Sequence, residues 1–289
     1  VSSAHPLATR AGLSILKKGG NAVDAAIAVG LTLGVVAPAW SGVGGGGFGL
    51  IHLARTDETV AVDYREVAPR NAHASMFELD EAGNVKNDSN AIGPLAIAVP
   101  GTVSGIATML ERYGSMRLSD ISRFARDQAA AGTSIGLALS LIMRENRDNS
   151  LEKFRRFKPT GRVFLRRGKA LRLRQKFLIP NLASTLDAIM QNGARSFYDG
   201  NIAEQILTYL EKNGAILTRE DFGEYSTRIR DSVTATYRDY EIRGMPPPSS
   251  GGLTVIEILN IIEGFDFSTM KHNSPHAIHT IAEAMKLAY

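Results

Sequence analysis

Arg65 lies in the run Val62-Asp-Tyr-Arg-Glu-Val-Ala-Pro69, just past an alternating stretch that predicts a strand over 59–64. A guanidinium on a strand end beside a glycine-rich loop can hold a carboxylate with two parallel hydrogen bonds, a geometry that a lysine ammonium cannot copy. The same spacing allows an ion pair with Asp63 or Glu66, and spacing alone does not choose between these readings.

The neighbouring loop, Gly42-Val-Gly-Gly-Gly-Gly47, has the letters of a dinucleotide fingerprint at Gly42, Gly44 and Gly47. That chemistry needs a strand, then glycines, then a helix whose N-terminus faces the pyrophosphate. Here the predicted order is helix, glycines, strand, and no Gly-Lys-Ser/Thr follows, so a nucleotide role is set aside. What survives is that the glycines let backbones pass closely or take positive φ. Histidines stand at 5, 52, 73, 272, 276 and 279, and the last three have helix-like spacing. A metal there would lack a recognisable third ligand, Glu283 being only a candidate, so ordinary surface or core histidines are expected. Ser249 and Ser250, in Met245-Pro-Pro-Pro-Ser-Ser-Gly-Gly252, can cap the following helix or line a wall, but no base partner is evident. The absence of a Gly-x-Ser-x-Gly turn removes the serine hydrolases built on that elbow.

The 289 residues contain no cysteine, which excludes disulfides, thiolate metal sites and cysteine nucleophiles in this chain. Hydrophobic residues make up 44% and charged residues 21%, which is globular and not disordered. The longest apolar stretch, 25–40, is too short for a membrane span and is interrupted by Gly30, Gly34 and Pro38. The opening residues Val1 to Pro6 have neither the charged head nor the apolar run of a signal peptide, and the compartment stays open. The net charge of +4 is uneven, because 144–176 alone holds 13 basic and three acidic residues. That segment can meet nucleic acid, an acidic polymer or an anionic membrane face, while interleaved Phe154, Phe157, Phe164 and Leu171 fit a solvated helix followed by a strand pair around Arg167-Gly168.

Helices are expected over 6–18, over 22–36 behind an Asn21 cap, over 102–113 capped by Thr102, and over 119–131. Further helices are expected over 181–192, 201–212, 253–263 and from Pro275 onward, with capping-box spacing at Thr218-Arg-Glu-Asp221. Strands are expected over 48–54 and 59–64 as a hairpin, over 95–99 as a buried strand, and over 233–237 and 240–243. The last helix reaches the terminus with no capping residue, a sign that the polypeptide continues.

Five of these runs, in this order, resemble the γ-glutamyltransferase (glutathione hydrolase) family, in the portion that becomes its large subunit: Gly19-Gly-Asn-Ala-Val-Asp-Ala-Ala26, Gly44-Gly-Gly-Gly-Phe48, Asp63-Tyr-Arg-Glu-Val-Ala-Pro69, Gly93-Pro-Leu-Ala-Ile-Ala-Val-Pro-Gly101 and Met245-Pro-Pro-Pro-Ser-Ser-Gly-Gly252. The resemblance implies an α/β fold of the N-terminal nucleophile hydrolase type, an α-β-β-α sandwich of which 1–289 is the single, helix-rich large-subunit part, with 144–176 as a basic segment inside it. It implies that Arg65 binds the α-carboxylate of a γ-glutamyl substrate. It also implies that the nucleophilic threonine belongs to a small-subunit polypeptide from the same precursor, so this chain carries no catalytic residue and is inert alone. Water or an amino acid takes the acyl group, and no metal or organic cofactor is required. Rival readings are a β-lactam side-chain (glutaryl) acylase of the same fold and a non-catalytic scaffold that binds acidic polymers through the basic segment. Nucleic acid is the less favoured partner.

Overall fold

The computed structural model describes residues 1–145 and 150–289. These divide into two compact units, one formed by Val1–Gly47 with Tyr64–Thr227 and the other by Phe48–Asp63 with Arg228–Tyr289.

In the first unit, α1 (Pro6–Lys17) begins where His5 Nδ1 accepts the Leu7 N–H at 3.2 Å and Pro6 occupies the first turn. α2 (Ala22–Val36) opens on a capping box: Asn21 accepts the N–H groups of Val23 and Asp24, and Asp24 accepts that of Asn21 at 2.8 Å. With almost no polar face, α2 buries Ile27, Leu31, Val35 and Val36. Its Thr32 is accommodated by donating to the Ala28 carbonyl at 2.7 Å. Ile106 of α3 (Thr102–Tyr113), Ile121 and Ala125 of α4 (Leu118–Ala131) and, further along the chain, Leu186 complete this core.

Asp24, fully buried, ties α2 to the end of α3. Its carboxylate accepts the Ser115 hydroxyl at 2.6 Å and the N–H groups of Ser115 and Met116. Burial alone would raise its pKa. The hydrogen bonds from Ser115, Asn21 and Met116 outweigh that and hold the carboxyl below its ordinary value.

A small lobe follows. β3 (Thr133–Ser134) pairs with a later strand, α5 (Leu137–Glu145) leads to α6 (Ser150–Arg156) and α7 (Lys158–Phe164), and β4 (Leu165–Arg166) turns through Arg167 and Gly168 into β5 (Lys169–Ala170). The turn residues both have positive φ, as a tight hairpin requires. β6 (Lys176–Phe177) closes the lobe on β3, over a core of Ile135, Leu139, Met143, Leu171 and Phe177. The expected helix and strand pair are therefore present in 144–176, the helical part broken at Phe157 before Pro159. Asn146 to Asn149, inside the basic segment, lie outside the described residues.

α8 (Pro180–Asn192), α9 (Ser196–Asp199), α10 (Asn201–Lys212) and α11 (Arg219–Gly223) build a second core around Phe197, Tyr198, Phe222 and Tyr225. The expected capping box at Thr218 and Asp221 forms, and Asp221 also accepts the Arg70 N–H at 2.9 Å.

In the second unit, β1 (Phe48–Leu53) and β2 (Glu58–Asp63) form the expected hairpin, and β7 (Arg228–Asp231) adds to β2, giving the order β1-β2-β7, antiparallel throughout. The near-buried Asp63 carboxylate accepts Arg230 Nε at 2.8 Å across the β2–β7 pair. β8 (Val233–Tyr237) and β9 (Tyr240–Gly244) form a hairpin, with α12 (Gly251–Glu263) packed on it and α13 (Pro275–Ala288) packed on α12.

Two expectations change, and one strand appears where none was expected. The stretch 95–99 is no buried strand: Pro94–Ala96 forms a single 3-10 turn, and only Val99 is bridged, to Val67, because Pro94 and Pro100 remove the donors a ladder needs. Thr102 is the first residue of α3 and not its cap, since the Gly45 carbonyl takes the N–H groups at that end. β7 reads Arg-Ile-Arg-Asp and carried no strand signal.

Candidate functional site: the Arg65 cavity

A cavity of about 570 Å³ opens in the first unit between α2, α3, the loop 42–46 and the segment Tyr64, Arg65, Glu66. Its walls are Ala26 and Gly30 of α2, Thr102, Ile106 and Met109 of α3, and Trp40. That volume suits a small metabolite.

Each wall is fixed by backbone hydrogen bonds. Tyr64 and Gly47 exchange both of theirs, at 3.0 and 3.2 Å. The Gly45 carbonyl accepts the N–H groups of Gly101 and Thr102 at 2.8 and 2.9 Å, fastening the glycine loop to the start of α3. The Arg65 carbonyl accepts the Tyr225 hydroxyl at 2.8 Å. Tyr225 stacks on Tyr198, centroids 5.8 Å apart and planes 6° from parallel, and the Tyr198 hydroxyl donates to Pro100 and accepts the Ser104 N–H. Burial pushes the phenol pKa of both Tyr64 and Tyr198 upward, so both stay neutral hydrogen-bonding groups near physiological pH.

Close approach, and not positive φ, explains Gly46 and Gly47. None of Gly42 to Gly47 has positive φ. A Cβ on Gly46 would sit 2.5 Å from the Tyr64 carbonyl oxygen and 2.8 Å from the Glu66 nitrogen, and one on Gly47 would meet the Tyr64 ring. Gly42 and Gly44 face open space. Gly101 and Gly105 are also spaced for the Tyr64 backbone and ring.

The Arg65 side chain is 58% exposed on the cavity wall, and its Nη1 meets Glu66 Oε2 at 2.9 Å. The ion pair with Glu66 and a largely exposed Arg65 side chain, on a residue that lines the cavity, therefore coexist: Glu66, more buried than its partner, holds one corner of the fork. The arrangement offers a fixed cation to an anionic headgroup.

The other singled-out residues lie elsewhere. Ser249 Oγ accepts the Gly251 N–H at 3.3 Å, while Ser250 flanks α12 without a side-chain cap. His272, His276 and His279 are exposed, and His52 meets its cross-strand neighbour Thr59 at 3.1 Å. Among the described residues no three His, Asp or Glu side chains are placed to hold a metal. Sequence reasoning missed Tyr225, Tyr198 and Ser104, whose supporting hydrogen bonds each join residues more than 90 positions apart and which no local pattern encodes.

Residues 8–289 match the family described as gamma-glutamyltranspeptidase. The chain belongs to that family. It is similar to the glutathione hydrolase proenzyme of Escherichia coli strain K12, at 39% identity over all of this chain and 49% of the relative. It is also similar, at 34% identity over 99% of this chain and 51% of the relative, to the acylase ACY 1 proenzyme of Pseudomonas sp. strain SE83. The crystal structure of Helicobacter pylori gamma-glutamyltranspeptidase superposes with a TM-score of 0.93 at 41% identity, over all of this chain and 81% of that one. The fold is thus that of the N-terminal nucleophile hydrolases, represented here by a helix-rich α/β portion. The chain spans about half the length of the curated relatives it matches.

Proposed function

We propose that this chain is the substrate-headgroup-binding half of a γ-glutamyl hydrolase/transferase. The observation that carries the reading is the placement of Arg65: an exposed guanidinium on a cavity wall, with its backbone locked by Tyr225 and its side chain steadied by Glu66. In this role Arg65 takes the α-carboxylate of a γ-glutamyl group through charge-assisted hydrogen bonds and so fixes the distance from headgroup to γ-carbonyl.

The attacking group comes from a complementary polypeptide of the same precursor. An N-terminal threonine hydroxyl adds to the γ-carbonyl, its own amine takes the proton, and backbone N–H groups hold the oxyanion. The intermediate collapses as the threonine amine passes that proton to the departing amine nitrogen, and water or an amino acid then attacks the acyl-enzyme, breaking its ester bond to release the glutamyl group and restore the threonine hydroxyl. The second unit supports a covering partner of this kind. Ile278, Ile281 and Met285 form one exposed apolar face on α13, Leu253 and Val255 are exposed on α12, and β1 and β7 are sheet edges among the described residues.

Glutaryl acylase activity is the competing reading, supported by the acylase relative. A glutaryl group keeps the carboxylate that Arg65 would hold and lacks the α-amino group. The test is the rate of anilide release by the complete protein from γ-glutamyl and glutaryl anilides. Preference for γ-glutamyl supports the proposal, and preference for glutaryl replaces it with the acylase.

A further inference from the structure

The lobe built from α5, α6, α7 and the β4–β5 hairpin is the most basic part of the chain. From Ser150 to Lys176 it has eleven lysines and arginines against one acid, Glu152. Arg155, Arg162, Arg166, Arg172 and Arg174 are all exposed, and among the described residues no basic side chain of this stretch has a carboxylate in ion-pair contact. Arg155 instead donates through Nε and Nη2 to the Gly168 carbonyl, at 3.3 and 3.0 Å, bracing the hairpin turn. Arg156 lies over the Phe157 ring, 5.5 Å from its centroid. The cationic surface therefore rests on a folded base with its own core of Phe154, Phe164 and Phe177 in successive ring contact.

The same lobe exposes leucines. Leu137 and Leu141, one turn apart on α5, are 60% and 41% exposed, and Leu173 and Leu178 are 44% and 50% exposed. Backbone hydrogen bonds from Arg174 to Ile135 and from Ile135 to Gln175 lay the Arg172, Leu173, Arg174 segment beside the start of α5. Leucines and arginines thus share one region. A soluble polyanion would complement the arginines and leave the leucines in water. A bilayer bearing acidic headgroups complements both, with apolar side chains entering the headgroup boundary and cations resting on phosphates.

We infer that this lobe is a peripheral docking surface for anionic lipid membranes. No helix among the described residues is long and apolar enough to cross a membrane. The contact proposed for the lobe is one of lying on the surface, reversible and weakened by salt.

Binding of the full-length protein to phosphatidylcholine vesicles, with and without phosphatidylglycerol, tests this. Thermal melting and anilide hydrolysis verify that each variant is folded. The protein should bind only the vesicles containing phosphatidylglycerol, and release as salt rises. Replacing Arg166, Arg172 and Arg174 by Gln should weaken binding roughly a hundredfold, at about fivefold per basic residue. Leu137→Ser with Leu141→Ser should weaken vesicle binding several-fold and leave binding to heparin unchanged. Two results would overturn the inference: no binding to the anionic vesicles at low salt, or vesicle binding that ignores the leucine changes while heparin or single-stranded nucleic acid binds as tightly, which would make the lobe a surface for soluble polyanions.

Discussion

The hydroxyl of Tyr225 donates to the backbone carbonyl of Arg65 at 2.8 Å, joining residues 160 positions apart. The bond falls on the main chain, so its contribution is to hold the backbone that aims the side chain. Tyr225→Phe removes one hydrogen bond and keeps the ring stacked on Tyr198. One net hydrogen bond corresponds to about a two- to tenfold effect. The expected outcome in the complete protein is a KM for a γ-glutamyl anilide raised by that factor with kcat nearly unchanged, read from initial rates.

The glycines separate by what faces them. Gly46→Ala and Gly101→Ala force a methyl group onto the Tyr64 carbonyl, and Gly101→Ala also onto the Tyr225 hydroxyl. Each should cost about 1–3 kcal/mol, the usual range for overpacking. Gly44→Ala meets open space and should leave the melting midpoint within experimental scatter. Denaturant melts of the three variants check the contrast.

Asp24 links acidity to stability. Its folded-state pKa lies below the ordinary value of 3.8, so the stability it supplies is fully present above that value and is lost as pH falls through the folded pKa. Asp24→Asn cannot satisfy the same set of N–H donors. The variant should lose about 2–4 kcal/mol at neutral pH and show a flatter acid limb than the parent. Unfolding midpoints measured between neutral pH and the acid transition distinguish the two.

Much of the fold was legible because its signals are local. Asn21 with Asp24, Thr218 with Asp221, Ser274 before Pro275, and Arg167-Gly168 each specify a cap or a turn within four residues, and each forms. Signals that depend on partners failed. The apolar run at 95–99 looked like a strand, but two prolines and the lack of a neighbouring strand left one bridge. The charged run Arg228–Asp231 became a strand because β2 offered an edge and Asp63 offered a partner for Arg230. At the site, Arg65 and the glycine loop were visible as a run of unusual residue types, whereas the tyrosines behind them were not. A buried tyrosine supporting a distant carbonyl leaves no periodicity in the sequence.

The carboxylate grip of Arg65 is tested most directly by crossing one mutation with one substrate change. Initial rates of the complete parent and Arg65→Lys proteins are compared on a γ-glutamyl anilide and on the 4-aminobutyryl anilide, which lacks only the α-carboxylate. With the two-pronged contact in place, Arg65→Lys should lower kcat/KM for the γ-glutamyl substrate about ten- to a hundredfold, as expected for a hydrogen bond to a charged group. The same mutation should scarcely alter the already poor rate on the 4-aminobutyryl substrate. An equal loss on both substrates, or no loss on either, would contradict the assignment of Arg65 to the headgroup.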